Sequence, residues 1–351
     1  MNVSQSVGKW YDLNKRDLPW REKKNPYTIW ISEVILQQTR MQQGLNYYYK
    51  FKERFPTVYD LARAPIEDVL NIWQGLGYYS RARNMHKTAG IIVDRFNGEF
   101  PSDFALLKQL PGIGDYSAAA IASLAFNIPV AAIDGNVYRL LARYYGISSC
   151  IDTARGKKVF IEAATEILDT NDPGRFNQSM IELGALVCFP KNPMCNECPL
   201  NDSCSALKNN KISDLPKKKK KAKQIHRYFY YLVVLQNDYL YLKQRKGKDI
   251  WAYLYDFPLI ETNKKTNIEE LVNEPVWKRL FKRNEVSIAN MSPEYKHVLS
   301  HQIIHAWFIE INVDAYFHSD NLYSVGFSEI ENYPVPRLIE KFLNTKIREE
   351  Q

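Results

Sequence analysis

Four of the five cysteines fall in one short stretch, Cys188, Cys195, Cys198 and Cys204, at the spacing C-x6-C-x2-C-x5-C. Thiols gathered this way require a loop to close on something, and three closures are open. A [4Fe–4S] cluster takes four thiolates, one per iron, and tolerates an irregular loop. Structural zinc also accepts four cysteines, but no two of these gaps reproduce the paired C-x2-C hooks of most zinc ribbons. A disulfide framework suits the chain poorly, because there are only five cysteines in 351 residues and no secretory signal. The spacing favours the cluster over zinc. Cys150, outside the pattern, reads as a plain small side chain.

The length of 351 residues accommodates two domains with separate cores. Residues Met1 to Lys9 lack the apolar core of a signal peptide, and no run reaches membrane-spanning length. The expectation is a cytoplasmic protein with no membrane partner, at the nucleoid if the source is bacterial. A net charge of +8 invites a nucleic-acid reading, but Lys217 to Lys221 with Lys223 supply six of those charges. Such a run is usually a solvated linker, so any case for DNA has to come from motifs.

Residues 1–208 read as helical, in amphipathic segments broken by Pro and Gly: Pro26 to Phe55, Asp103 to Leu110, Asp115 to Phe126, Gly135 to Tyr145 and Lys157 to Asp169. Residues 209–224 form a basic linker without apolar period. Beyond it, Tyr228 to Gln236 and Tyr239 to Lys243 are aromatic and β-branched, split by Asn237-Asp238, a hairpin signal. Ile303, His305, Trp307, Ile309, Ile311 and Val313 alternate with a second set, as strand faces do. The predicted architecture is an all-α domain followed by an α+β domain over 225–351.

Two features of the first domain carry chemistry. Leu110-Pro111-Gly112-Ile113-Gly114 lies between helical segments, and its glycines Gly112 and Gly114 leave backbone N–H groups uncovered for a phosphate oxygen. A lone turn of this kind is usually only a turn, but here an Ala-rich helix fit for close packing follows. The second feature is a pair of carboxylates. Glu33 has Ile29, Trp30, Leu36 and Gln37 as helical neighbours, so burial should resist its ionisation. Asp134 precedes Gly135-Asn136-Val137 at a helix start, where a cap favours the anion. Each alone is ordinary, a solvated Glu and a capping Asp. Together, one protonated and one charged acid suit the breaking of a glycosidic bond through a cationic sugar.

These pieces, in their order, resemble the adenine DNA glycosylase family of the helix-hairpin-helix base-excision repair superfamily. The resemblance runs from Trp10-Tyr11-Asp12 and Leu18-Pro19-Trp20-Arg21, through the Glu33 segment and Gln74-Gly75-Leu76-Gly77-Tyr78-Tyr79-Ser80-Arg81. It continues over the hairpin and Ile133-Asp134-Gly135-Asn136 to the cysteine loop. It implies a [4Fe–4S] cluster on Cys188, Cys195, Cys198 and Cys204, and a monomer that acts on adenine mispaired with 8-oxoguanine or guanine in double-stranded DNA. It implies Glu33 as the acid that protonates adenine, Asp134 as the group that stabilises the sugar cation, and Tyr116 and Asn136 as residues ordering the site. Leu18, Trp20, Arg21 and Glu182 match the adenine pocket, and Gln38 and Tyr78 match the wedge that fills the stack beside the lesion. Tyr116 stands where the endonuclease III branch has a Schiff-base lysine, so a monofunctional enzyme is expected. An endonuclease III-like glycosylase, a thymine- or uracil-mismatch glycosylase and a non-catalytic iron–sulfur damage-binding protein are the competing readings. The second domain resembles a Nudix-like lesion-recognition module without its catalytic glutamate cluster. Its lesion-reading loop corresponds to Leu299-Ser300-His301, with Ser300 and His301 offering hydrogen bonds and Leu299 departing from the family's phenylalanine. His297 and His305 read as structural.

Overall fold

The computed structural model describes residues 2–349 except 23, 220–222, 248, 283–284, 314–316, 318 and 320. Lys220 and Lys221 of the lysine run therefore lie outside the described residues. The chain divides into two compact units, Met1–Arg63 with Asn84–Lys220, and Ala64–Arg83 with Lys221–Gln351.

The first unit is helical. Its frame is α1 (Val3–Asn14), α2 (Pro26–Leu36), α3 (Met41–Arg54), α4 (Val58–Arg63), and, after α5 (Ile66–Trp73) of the other unit, most of α6 (Ser80–Phe96). Then follow α7 (Phe104–Gln109), α8 (Asp115–Phe126), α9 (Gly135–Tyr145), α10 (Ala154–Glu166) and α11 (Pro173–Leu186). Local chemistry sets the ends. Asn25 caps α2 by accepting from Tyr27 N and Thr28 N, with Pro26 at the first position, and Asp103 caps α7 through Leu106 N. Ala118 to Ala122 are buried in α8, so small side chains let α2 and α11 approach its backbone closely. Val137, Leu140 and Leu141 of α9 pack with Phe160, Met180 and Leu183 into one core.

Two expectations need correcting. The stretch Pro26 to Phe55 is two helices, α2 and α3, because Gln38 takes a left-handed conformation (φ 59°) and the chain turns between Leu36 and Met41. The start of the expected linker is also not free. Leu215 is buried in the first core with Ile212 against it, and Arg143 donates from Nε to the carbonyls of both, at 3.1 Å and 3.2 Å.

Among the described residues, the second unit is built on an eight-stranded sheet. Its strands are β1 (Ile225–Gln236), β2 (Tyr239–Gln244), β3 (Tyr255–Asp256), β4 (Leu259–Thr262), β5 (Val286–Met291), β6 (Tyr295–Val298), β7 (Gln302–Val313) and β8 (Tyr323–Gly326). β1 and β7 run parallel, from Ile225 opposite Gln302 to Leu235 opposite Asn312, and β6 returns into β7 as a hairpin. Both central strands are covered on two faces, which is why their middles are continuously buried and, apart from Glu310 of β7, apolar or aromatic. Tyr230 stacks on Trp307 on one face, above Trp277 and Phe281. On the other, Tyr231 stacks on Phe308, and Phe308 lies against Phe342 of the helix Arg337–Glu349 at 4.0 Å. Asn237, at φ 51°, makes the β1–β2 turn.

Candidate active site

Six segments of the first unit converge on one cavity of about 530 Å³. Leu18, Trp20 and Arg21 line it from the chain after α1, Glu33 from α2, and Gln37, Gln38 and Thr39 from the turn that follows. Tyr116 comes from α8, Asp134 and Asn136 from the start of α9, and Glu182 from α11. Nine residues singled out in the sequence are thus brought together. No lysine lines this cavity among the described residues.

Glu33 is half-buried at the cavity wall. Burial pushes its carboxyl up to about 7; the hydrogen bond donated by the Tyr116 hydroxyl opposes the rise, the charge of Asp134 adds to it, and Arg21 lowers it. Tyr116 itself is driven well above its usual range by burial and by the two carboxylates, so it remains a donor.

Asp134 caps α9. Its Oδ1 accepts from Asn136 N at 2.9 Å and Val137 N at 2.8 Å, and its Oδ2 from Asn136 Nδ2 at 2.7 Å. The cap was expected to favour the anion outright. Burial outweighs it and raises the carboxyl above its ordinary value, while the three donors and Arg139 pull it back. The contrast between the two acids therefore lies in their partners. Asp134 has three N–H donors that only an anion or an acceptor oxygen satisfies, whereas Glu33 is held by one phenol.

A second electrostatic layer was not foreseen. Glu182 is fully buried and held by Arg16 at 2.7 Å and Arg21 at 2.8 Å. Burial opposes its ionisation, but the hydrogen bonds and charges of these arginines take it down to about 2. Arg16 lies in an unremarkable charged stretch, Lys15-Arg16-Asp17, and no local signal marks it. Nor was Arg139 foreseen. It donates to Asn136 Oδ1 at 2.9 Å, Gly184 O at 2.7 Å and Cys188 O at 2.6 Å, joining the cap to the cysteine loop.

Cys188, Cys195, Cys198 and Cys204 line a separate small cavity with Leu140, Val187 and Leu200, and all four thiols are free of disulfides. Arg143 reaches Cys188 Sγ at 3.4 Å and Phe189 O at 2.7 Å. Among the described residues, no three His, Cys, Asp or Glu side chains are arranged to hold a metal ion. Four free thiols lining one apolar cavity are the donor set that a [4Fe–4S] cluster takes, and Arg143 gives such a group a cationic neighbour.

The hairpin between α7 and α8 has Gly112 at φ 79°, where a Cβ would also meet Asn84 Cβ at 2.7 Å. A Cβ at Gly114 would meet nothing within 4 Å, so the backbone there faces open space at the start of α8. Lys108 pairs with Asp115 beside it at 2.6 Å.

In the second unit, Tyr78 is 53% exposed at φ 49°, and its hydroxyl lies 3.0 Å from Ser300 Oγ. Leu299 is half-buried and pinned by its backbone: its N–H donates to Gln302 O at 2.8 Å, and its carbonyl accepts from Gln224 Nε2 at 2.7 Å. Ser300 and His301 are exposed. His297 leans on Trp251 at 5.9 Å, and His305 bonds Glu294 at 2.6 Å and His226 at 2.9 Å.

Residues 31–160 match the HhH-GPD superfamily of base excision DNA repair proteins, and residues 230–345 match a NUDIX domain. The chain is 40% identical to the adenine DNA glycosylase of Buchnera aphidicola subsp. Baizongia pistaciae over 326 residues, covering 90% of this chain and 88% of that one. It is 34% identical to the adenine DNA glycosylase of Buchnera aphidicola subsp. Schizaphis graminum, covering 97% of each. Among solved structures, a thermostable thymine-DNA glycosylase superposes with a TM-score of 0.55 at 26% identity, over 59% of this chain and 95% of that one. No helix among the described residues is long and apolar enough to cross a membrane.

Proposed function

From the premise that this chain belongs to the adenine DNA glycosylases, N-glycosylases of base excision repair, we propose that it removes adenine standing opposite 8-oxoguanine, or opposite guanine, in duplex DNA. It would act as a monomer in the cytoplasm, and at the nucleoid if the source is bacterial. The observation that carries the reading is Glu33, a carboxyl pushed up to about 7 in the cavity that also holds Asp134.

A flipped adenine nucleotide enters the cavity, at a cost of a few kcal/mol for unstacking. Glu33 delivers its proton to adenine N7, so the electron pair of the breaking C1′–N9 bond leaves onto a neutral base. Asp134 faces the resulting sugar cation and stabilises it, or traps it covalently, until water adds at C1′ and its proton passes to the Glu33 carboxylate. Tyr116 orients Glu33, Asn136 orients Asp134, and Leu18, Trp20, Arg21 and Glu182 wall the base. The ion pairs on Glu182 support that role, because they keep a buried anion fixed instead of leaving it to compete for the proton. With no lysine among the described residues lining the cavity, imine formation has no amine, which supports a monofunctional enzyme.

Gly112 and Gly114 offer the phosphate grip, Gln38 and Tyr78 the wedge, and Ser300 and His301 the contacts to 8-oxoguanine. Cys188, Cys195, Cys198 and Cys204 would hold a [4Fe–4S] cluster. When bound, it supplies iron–thiolate bonds that fix the loop joined to the Asp134 cap through Arg139. Base release measured on A·8-oxoguanine, A·G and T·G duplexes tests the whole reading. Adenine is expected from the first two, faster from the first, and no thymine from the third. Thymine release with silent adenine duplexes would overturn it.

A further inference from the structure

We propose that Tyr253 is a further DNA-contacting residue, packing on the backbone of the 8-oxoguanine strand beside Tyr78 and Ser300. The inference rests on the proposed wedge role of Tyr78 and the proposed lesion contact of Ser300.

It starts from backbone strain. Among the described residues, eight non-glycine residues have positive φ, and five of them are asparagines, which tolerate the left-handed region. The other three are Gln38, Tyr78 and Tyr253. Two of these three are the wedge residues. Bulky side chains persist in this region where the surroundings over-determine them, and such positions gather at functional sites. At Tyr253, with φ 68°, the surroundings are visible: its N–H donates to Arg245 O at 2.9 Å, Leu254 N to Trp251 O at 3.1 Å, and Arg245 N to Leu254 O at 2.8 Å. Packing of the ring does not offset the strain, because Tyr253 is 50% exposed. A glycine or asparagine would satisfy the same turn without strain, so the turn alone does not call for a tyrosine.

Its neighbours point to one partner. Arg83, five residues after Tyr78, donates from Nη1 to Ala252 O at 3.1 Å. Trp251 lies 5.9 Å from His297 in β6, the strand that runs into Leu299-Ser300-His301. The Asp249–Tyr253 turn is thus fixed to both segments whose tips, Tyr78 and Ser300, lie 3.0 Å apart. Continuity with those tips and the chain's activity on DNA identify the occupant as the duplex. A half-exposed phenol suits that surface, since the ring packs on a deoxyribose and the hydroxyl donates to a phosphate oxygen.

The test uses the full chain and a duplex carrying 2′-fluoro-2′-deoxyadenosine opposite 8-oxoguanine, in which the fluorine withdraws electrons from the sugar and blocks cleavage. Tyr253→Gly is expected to melt about 2 °C higher, through relief of strain. It should nevertheless bind about fivefold more weakly, at the low end for loss of one aromatic contact. Tyr253→Asn should follow it, and Tyr253→Phe, which keeps the ring and loses the phosphate hydrogen bond, should bind between these variants and the wild type. If Tyr253→Gly and Tyr253→Asn bind as the wild type while Tyr78→Ala binds more weakly, the inference is overturned and the lesion assignment stands. If Tyr78→Ala also binds normally, the lesion assignment falls and takes Tyr253 with it.

Discussion

The cavity around Glu33 and the tip made by Tyr78 and Ser300 solve opposite problems. In the first, burial lifts a carboxyl to about 7, and every other charge is tied down: Asp134 by three donors, Glu182 by two arginines. In the second, the polar atoms lie at the surface, and the Tyr78 hydroxyl is engaged by Ser300 itself. Proton delivery needs a low dielectric and fixed partners, because its strength comes from what surrounds the acid. Reading the edge of a base needs donors that can exchange one partner for another at little cost, so an exposed site serves it better. Substitutions should therefore fail differently at the two places, in rate at the first and in discrimination at the second.

The largest effect is expected from Glu33→Gln. Single-turnover base release should fall by about 10³-fold or more, with duplex affinity largely kept. Equal loss of binding would show that Glu33 holds DNA instead of donating a proton. Next is Cys198→Ser. Loss of its thiolate should lower the iron content and the cooperative melting of the first unit, and with it base release from A·8-oxoguanine and A·G alike. A variant that loses iron yet keeps full activity would separate the loop from the Asp134 cap. Smaller and confined to the exposed site, Ser300→Ala should reduce the preference for A·8-oxoguanine over A·G by about tenfold, the worth of one hydrogen bond, and leave the A·G rate alone. A uniform drop on both duplexes would erase the contrast.

The smallest effect concerns stability. Because folding raises the Glu33 carboxyl from 4.5 to about 7, the folded chain holds a proton that the unfolded chain has released between those values. Its contribution is favourable below pH 4.5 and is lost as pH rises through about 7. Glu33→Gln should therefore melt about 2–4 °C higher than the wild type at pH 8, with the gain vanishing at pH 4. A lower melting temperature at pH 8 would mean that the carboxylate is well solvated.

Much of the first unit was legible because its signals are local. Asp134 before Gly135 marked the start of α9, Asn25-Pro26 the start of α2, and the glycines the hairpin. Apolar neighbours at helical spacing signal the burial that raises the Glu33 carboxyl. The balance at Asp134 was misread because a cap is visible in sequence and the burial opposing it is not. The turn after Leu36 escaped because Gln38 takes a conformation that its residue type does not announce. Arg16 with Glu182, and Arg139 with Cys188, are pairings across long sequence separations, and neither has a spacing to read. The grouping of Ala64–Arg83 with the second unit is hidden for the same reason. Tyr79 meets Val335 O, and Asn71 meets Asn332 O, across more than half the chain.

The most direct test is the single-turnover rate of base release from an A·8-oxoguanine duplex as a function of pH. With Glu33 as the acid, the rate is expected to hold on the acidic side and fall about tenfold per pH unit once pH exceeds about 7, as the carboxyl loses the proton it must give. A rate that stays level or climbs between pH 7 and 9 would mean that no protonated carboxyl drives adenine out.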